Sequence, residues 1–194
     1  GSGLELYNSD NNNISENTAN NNNGNGIYLW DNCDSNTISG NTANNTNGSG
    51  IYLWDNCVSN TISGNTANNN SRNGIYLWDN CDSNTILGNT ANNNTDSGIQ
   101  FYYLCYNNDI LGNTANNNTD SGISLYNSYT NNIAGNTANN NTDSGISLYN
   151  SNTNNISGNT ANNNTNSGTY LEGSDTNDIL ENTANDNKYG IYLN

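Results

Sequence analysis

Several residue types that most soluble proteins use are absent or scarce in this chain of 194 residues. It has no proline, histidine or methionine, and Arg72 and Lys188 are its only cationic residues against 17 acidic ones, so the net charge is −15. A surface so poor in cations cannot neutralise nucleic-acid phosphates or lie on an anionic membrane leaflet. We therefore expect no nucleic-acid partner. Because no apolar run approaches about 18 residues, we also expect no membrane insertion.

The composition alone would predict disorder, because 56 residues are Asn and only 30% are hydrophobic. The hydrophobic residues, however, are not scattered. An isoleucine, a leucine and a second isoleucine recur at equivalent places along the chain, as at Ile27, Leu29 and Ile38. A disordered chain would not need hydrophobic residues at regular intervals, so we expect an ordered fold.

The chain consists of about eight copies of one pattern, GIYLxx(N/S)xxNxIxGNTANNNxxS. Repeats of this length indicate a solenoid, in which each unit buries its apolar face only against its neighbours. The first glycine of each copy lies 22 to 24 residues after the previous one: Gly3, Gly26, Gly50, Gly74, Gly98, Gly122, Gly145, Gly168 and Gly190.

Each repeat is predicted to form three short strands joined by turns. Alternation in the first strand places Ile27 and Leu29 on one face and Tyr28 and Trp30 on the other. Shorter strands are predicted at 36–38 and 41–43, separated by residues that favour turns. A leucine-rich repeat would need a helical or tight convex segment, which the Asn-rich stretch would form poorly, and the calcium-binding nonapeptide motif is absent. The pattern therefore predicts a parallel β-helix.

The stretches GIYL, NxI and GNTA with their Asn-rich return resemble the right-handed parallel β-helix repeats of NosD-like periplasmic copper-binding proteins and of surface proteins of methanogenic archaea. The resemblance covers residues 3–194 and implies an all-β, single-stranded, right-handed parallel β-helix of about eight coils. It implies little about activity, because lyases, hydrolases, adhesins and envelope proteins share this coil. The copper association does not transfer, since imidazole and thioether ligands are absent. Residues 1–194 should form one domain without clear capping units.

Equivalent residues of successive coils should stack in columns about 4.8 Å apart. In one column, Asn side-chain amides can donate to one another as a structural ladder. Beside it lies an outward Thr column, which makes ice binding a minor alternative function, although the Thr-x-Thr pairs that would widen the column are absent. The predicted ladder contains Asn41, Asn65, Asn89, Asn113, Asn136 and Asn159, with Asn17 and Asn182 at its ends.

Two further outward columns are aromatic. Stacking that stiffens the sheet, contact with another protein subunit and contact with sugar rings are the three interpretations left open. The columns contain Tyr28, Tyr52 and Tyr76, and Trp30, Trp54 and Trp78, continued less regularly from Tyr102.

Cys33, Cys57, Cys81 and Cys105 each lie seven residues after a repeat glycine and should form one column. Parallel side chains one coil apart keep their Cβ atoms near about 4.8 Å, which is longer than disulfides prefer. Buried free thiols, the pairs Cys33–Cys57 and Cys81–Cys105, and crosslinks or a metal are the alternatives. Four Cys without His are a poor zinc signature.

Two shorter columns are acidic, and like charges one coil apart repel, so Ca²⁺ could stabilise either column. The alternative is a solvated acidic stripe without metal, with Arg72 and Lys188 at the ends of the second column. No other cofactor is expected. The columns are Asp31, Asp55 and Asp79, and Asp96, Asp120 and Asp143.

Asn-x-Ser/Thr glycosylation acceptors are predicted to share one column. Together with a first residue other than Met, they lead us to expect a processed extracellular or cell-surface protein. The acceptors are Asn44, Asn69, Asn93, Asn117, Asn140 and Asn163.

The sequence offers little support for catalysis, because an active site would break the repeat locally and the one clear break, residues 100–106, adds aromatic residues but no acid. We therefore expect no enzyme. The repeat runs to both ends of the sequence, which predicts a structural protein that self-associates head to tail and laterally, in a filament, sheath or surface layer. The alternative is a carbohydrate-binding or adhesive module with glycans as partners.

Overall fold

The structure, a computed structural model that describes all of residues 1–194, is built from strands and turns and contains no helix. Its strands form two sheets in which every neighbouring pair is parallel and in sequence order, so the chain winds into the predicted solenoid of about eight coils. Sheet one contains β1 (Leu4–Tyr7), β3 (Ile27–Trp30), β5 (Ile51–Trp54), β7 (Ile75–Trp78), β9 (Ile99–Tyr102), β11 (Ile123–Tyr126), β13 (Ile146–Tyr149), β15 (Ser167–Glu172) and β17 (Tyr189–Leu193). Sheet two contains β2 (Asn13–Ser15), β4 (Thr37–Ser39), β6 (Thr61–Ser63), β8 (Thr85–Leu87), β10 (Asp109–Leu111), β12 (Asn132–Ala134), β14 (Asn155–Ser157) and β16 (Asp178–Leu180).

The second and third strands of each coil differ in extent from the prediction. The second begins at Thr37 rather than Asn36, because the Asn36 backbone N–H donates to the side chain of Asn60 at 2.8 Å instead of joining the sheet. The third is reduced to one parallel bridge per coil along the Thr column, as between Thr42 and Thr66. The coil therefore has three faces, of which sheet one is the longest.

The core is a stack of similar layers. Ile27, Leu29, Ile38 and Ala43 are fully buried, and the equivalent residues of the following coils contact them from above. The repeat glycine is required by this packing: a Cβ at Gly74 would lie 2.7 Å from the Ala91 Cβ and 2.6 Å from the Gly98 carbonyl oxygen. No helix of the kind that could span a bilayer occurs in the chain.

Buried asparagines form three ladders, one at each corner of the coil, where the sequence predicted one. In the predicted ladder, Asn89 Nδ2 donates to Asn113 Oδ1 at 3.0 Å and to the Ile62 carbonyl at 2.8 Å. Its Oδ1 accepts from the backbone and side chain of Asn65 at 2.9 and 3.0 Å. Each side-chain amide thus forms hydrogen bonds with both neighbouring coils. The other two ladders contain Asn36, Asn60, Asn84, Asn108, Asn131, Asn154 and Asn177, and Asn70, Asn94, Asn118, Asn141, Asn164 and Asn187.

One core position departs from the repeat. Thr169 of β15 lies between Ile146 and Ile191 in the inward column that isoleucine otherwise occupies in the neighbouring coils. It is 1% exposed, and its hydroxyl has no hydrogen-bond partner. An unpaired buried hydroxyl destabilises the folded state.

Replacing Asn89 by Ala should lower the free energy of unfolding by about 2–4 kcal/mol, because it removes four buried hydrogen bonds and leaves the Asn65 N–H and the Ile62 carbonyl unpaired. Urea denaturation of the purified chain measures the change. The control is Asn47→Ala, at an exposed asparagine outside the ladders. Equal stability losses in the two variants would contradict the structural role of the ladder.

Replacing Thr169 by Ile should stabilise the protein by about 1–3 kcal/mol, because a methylene and a methyl group take the place of an unpaired buried hydroxyl. Thr160→Val makes a similar chemical change in the outward Thr column and should alter the stability less. Thermal and urea denaturation of the three proteins test this. A destabilised Thr169→Ile protein would mean that the hydroxyl is satisfied in solution.

Candidate functional site

The outward side of sheet one carries six aromatic rings in two adjacent stacks. We call Tyr28, Trp30, Tyr52, Trp54, Tyr76 and Trp78 the aromatic face. Tyrosine centroids are separated by 5.0 and 4.9 Å and tryptophan centroids by 6.4 and 5.7 Å, with interplanar angles of 9 to 20°. Strand alternation turns all six outward, and parallel register stacks them.

Stacking along the solenoid axis decides which parts of the rings can meet a ligand. Each ring covers part of the face of the next, so the ring edges are more available to a ligand than the ring faces. Trp30 Nε1 donates to Glu5 Oε1 at 2.9 Å. The indole N–H groups of Trp54 and Trp78, and the hydroxyls of the three tyrosines, have no protein partner and are not buried. The face therefore presents one free hydroxyl per coil and a free indole N–H in two of its three coils.

The hydroxyls of this face remain protonated donors at ordinary pH. Partial burial in the stack raises the pKa of Tyr28 to about 12. The same cause raises the pKa values of Tyr52 and Tyr76 further, although the nearby Arg72 guanidinium acts in the opposite direction.

The aromatic face ends after three coils. Gln100 takes the place of tyrosine in register with Tyr76, and Tyr102 is in register with Trp78. The structure stacks Tyr102 on Tyr126, at 4.8 Å, rather than on the tryptophan column. At the other end, Glu5 is in register with Tyr28. The paired stacks thus span Tyr28 to Trp78, and the tilted Tyr7 ring extends the tryptophan stack by one coil, with its centroid 4.3 Å from that of Trp30.

A row of carboxylates borders the tryptophan stack. Asp31, Asp55 and Asp79 directly follow the three tryptophans, and all adopt positive φ angles, of 60, 63 and 65°. Each Oδ1 accepts from the side-chain amide of the following asparagine, at 2.6 to 2.8 Å. The Asp31 carboxylate also raises the pKa of the Tyr7 phenol, by hydrogen bonding and by its charge. The aromatic face therefore lies in a negative field along this side.

The second acidic column lies beyond the aromatic face. Ser97 donates its hydroxyl to Asp120 Oδ2 at 3.0 Å, and Ser121 donates to Asp143 Oδ2 at 3.3 Å. Partial loss of hydration raises the pKa of the Asp120 carboxyl, although part of the residue is exposed. The hydrogen bond from Ser97 acts in the opposite direction. These serines were not among the predicted site residues, because their only signal in the sequence is the repeated Asp-Ser-Gly.

No three carboxylate, thiol or imidazole groups converge on one point in this structure. Both acidic columns extend along the axis, and their oxygens are bonded to asparagine and serine side chains. The geometry thus does not favour calcium, which stays a prediction from the sequence alone.

The four cysteines form one buried column of free thiols. Cys33, Cys57 and Cys81 each donate to the carbonyl of the tryptophan three residues earlier, at 3.3 to 3.4 Å. Serine occupies the same position in other coils, where the Ser128 hydroxyl donates to the Tyr126 carbonyl at 3.1 Å. Burial raises the pKa of the Cys33 and Cys81 thiols, while the neighbouring Cys81 side chain lowers the pKa of Cys57.

The predicted glycosylation acceptors do not all share one column, which corrects the sequence analysis. Asn69, Asn93, Asn117, Asn140 and Asn163 are exposed and equivalent, each with φ of 56 to 58°. The residue equivalent to them in the second coil is Asn45, which has φ of 55°. Asn44 lies one position earlier, and its Oδ1 accepts from the Asn68 backbone at 2.7 Å. The error arose because this repeat has one asparagine fewer before its threonine.

Comparison with known proteins confirms the resemblance stated from the sequence. A family model described as periplasmic copper-binding protein (NosD) matches residues 69–194, and one described as right handed beta helix region matches residues 1–91. Comparison with curated proteins gives no match.

Several solved structures share the coil stack. The periplasmic alginate epimerase AlgG superposes with a TM-score of 0.90 and 20% identity, over 94% of this chain and 47% of that one. The A-module of the Azotobacter vinelandii mannuronan C-5 epimerase AlgE4 gives 0.85 and 17%, over 95% and 56%. The enzymatically active domain of bacteriophage CBA120 tailspike protein 2 gives 0.57 and 13%, over 97% and 39%. This chain thus spans only about half or less of each.

These matches contradict the prediction that the chain is not an enzyme. We expected an active site to break the repeat locally, yet a similar coil stack occurs in two epimerases and in an enzymatically active tailspike domain. At these identities the likeness concerns the fold.

The cysteines should be inert in the folded protein, because all four thiols are fully buried. We expect no reaction with a thiol-specific dye under native conditions and four equivalents per chain in denaturant. Cys57→Ser should cost little stability, because serine already occupies this column elsewhere. Fewer than four reactive thiols in denaturant without reductant would instead indicate disulfides.

Proposed function

Because the chain belongs to the NosD family, described as periplasmic copper-binding proteins, and folds as a right-handed β-helix, we propose that it is a polysaccharide-binding solenoid of the cell envelope or exterior. The glycan lies on the aromatic face. The observation that carries the proposal is the pair of regular tyrosine and tryptophan rows on the outward side of sheet one, because these side chains combine an apolar ring with a polar group that can bond a ligand.

The comparisons support a carbohydrate ligand. The AlgG and AlgE4 structures are named for action on alginate and mannuronan, both polysaccharides. Rings in this chain are stacked on one another, so we propose that sugars are held mainly by hydrogen bonds to ring edges and less by stacking on ring faces.

This chain lacks the ligands for the copper that the family description names. There is no His or Met, and the only sulfur ligands are fully buried thiols bonded to backbone carbonyls. Soft or borderline copper sites use imidazole, thioether and thiolate ligands that converge. No copper step is therefore part of the proposed function.

Self-association is the second candidate. Large stacked aromatic side chains at a surface also suit contact with another copy. End-to-end stacking into a filament, sheath or surface layer stays a proposal from the sequence repeat. Electron microscopy and light scattering of dilute protein distinguish filaments from monodisperse rods.

Tyr52→Phe and Trp54→Phe should each weaken polysaccharide binding by about 0.5–1.5 kcal/mol, because each removes one donor while keeping an aromatic ring in the stack. Affinity electrophoresis in gels containing soluble polysaccharides measures the effect. The control is Tyr126→Phe, which lies in the same sheet beyond the aromatic face. Unchanged mobility of the native chain in every polysaccharide would contradict the proposal. Sizing and NMR of the recovered glycan show whether the chain also cleaves or epimerises it.

A further inference from the structure

The spacing of the donors on the aromatic face indicates how a ligand would lie. Strands of adjacent coils are about 4.8 Å apart. The tyrosine rings recur at nearly that interval along the axis, with centroids 5.0 and 4.9 Å apart. In an extended glycan with equatorial linkages, successive sugars advance by a distance close to this strand spacing. A peptide in a β-conformation advances by about 3.3 Å per residue and would lose register within a few residues.

The charge around the face indicates which glycans can bind. Asp31, Asp55 and Asp79 border the tryptophan side, and Glu5 lies at the lower end against Trp30. Arg72 is the only cation near the tyrosine side, and the equivalent residue of the next coil is Asp96. A polyanion along the axis would place its charges beside this carboxylate row, which repels it.

The same charges argue against a second copy of the chain as the occupant. Two aromatic faces in contact would bring two carboxylate rows together between molecules of net charge −15. Like charges juxtaposed across an interface oppose association. A neutral polymer whose units repeat at the spacing of the coils is repelled neither by the carboxylate row nor by the net charge of the chain.

We infer that the aromatic face binds a neutral, extended, β-1,4-linked polysaccharide that runs parallel to the solenoid axis with one sugar per coil. This inference rests on the proposed function and narrows it. It also separates this chain from the epimerases that share its fold, because the names of those enzymes point to acidic polysaccharides. The three coils of the aromatic face, together with Gln100 that continues the tyrosine column in the next coil, give a site for about four sugars.

Isothermal titration of the full chain with four hexasaccharides tests the class of ligand. The probes are β-1,4-linked hexamers of glucose, mannose and mannuronate, and the α-1,4-linked glucose hexamer, which curves. The two neutral β-linked hexamers should bind, and the mannuronate hexamer should bind more weakly, increasingly so as salt is lowered. Tighter binding of the mannuronate or the α-linked hexamer would overturn the inference while leaving the proposed function in place. If no glycan binds, the proposed function fails as well.

The length of the bound segment tests the orientation. Affinity should increase from the disaccharide to the tetrasaccharide of the β-linked series and then level off. A disaccharide that binds as tightly as the hexamer would show that the glycan crosses the coils instead of following the axis.

A charge variant tests the exclusion of anions. Asp55→Asn should strengthen mannuronate binding severalfold and leave the neutral hexamers unchanged, and asparagine tolerates the positive φ at this position. Asp175→Asn, at an exposed acid several coils away, is the matched control. Equal effects of the two changes would mean that the carboxylate row does not select against anions.

Discussion

The structure depends on parallel, in-register stacking of every coil on the one before it, and the buried asparagine ladders are the interaction that fixes this register. A hydrophobic layer of Ile27, Leu29, Ile38 and Ala43 contributes burial, yet aliphatic side chains alone tolerate sliding. A buried side-chain amide that bonds both neighbouring coils does not tolerate sliding. A shift of one coil against the next would leave its buried donors and acceptors unpaired. The aromatic stacks, the thiol column and the carboxylate row all follow from this register.

The regular elements could be predicted because one residue type recurs at one place in every coil. Alternation predicted the first strand correctly, and the fold class followed from the period. The sequence identified one Asn ladder of three, because asparagine is so abundant that periodicity alone cannot distinguish a buried amide such as Asn36 from an exposed one such as Asn93. That distinction depends on the direction of each side chain at a corner, which is set by neighbouring coils. The same abundance caused the displaced assignment of Asn44.

The candidate site was only partly predictable. Strand alternation was sufficient to place Tyr52 and Trp54 outward and in columns. It could not show that the rings stack on one another and leave their polar edges free, or that Tyr102 pairs with Tyr126, since both depend on side-chain torsions. Nor could regularity of the repeat decide about catalysis, because enzymes share this coil stack and a repeat pattern describes the scaffold more than the chemistry on it.

The asparagine ladders also give the molecule a direction. In all three, the side-chain carbonyl oxygen faces the preceding coil and receives its N–H groups, as Asn65 Oδ1 does from Asn41 and Asn118 Oδ1 from Asn94. Aligned amide dipoles polarise one another along such chains. The three buried ladders are therefore vectorial, although the half-buried column of Asn44 and Asn68 is bonded in the opposite sense, with the Asn68 N–H donating back to Asn44 Oδ1. Further coils continue these ladders only in the same sense, because joining two like ends would oppose acceptor to acceptor or donor to donor.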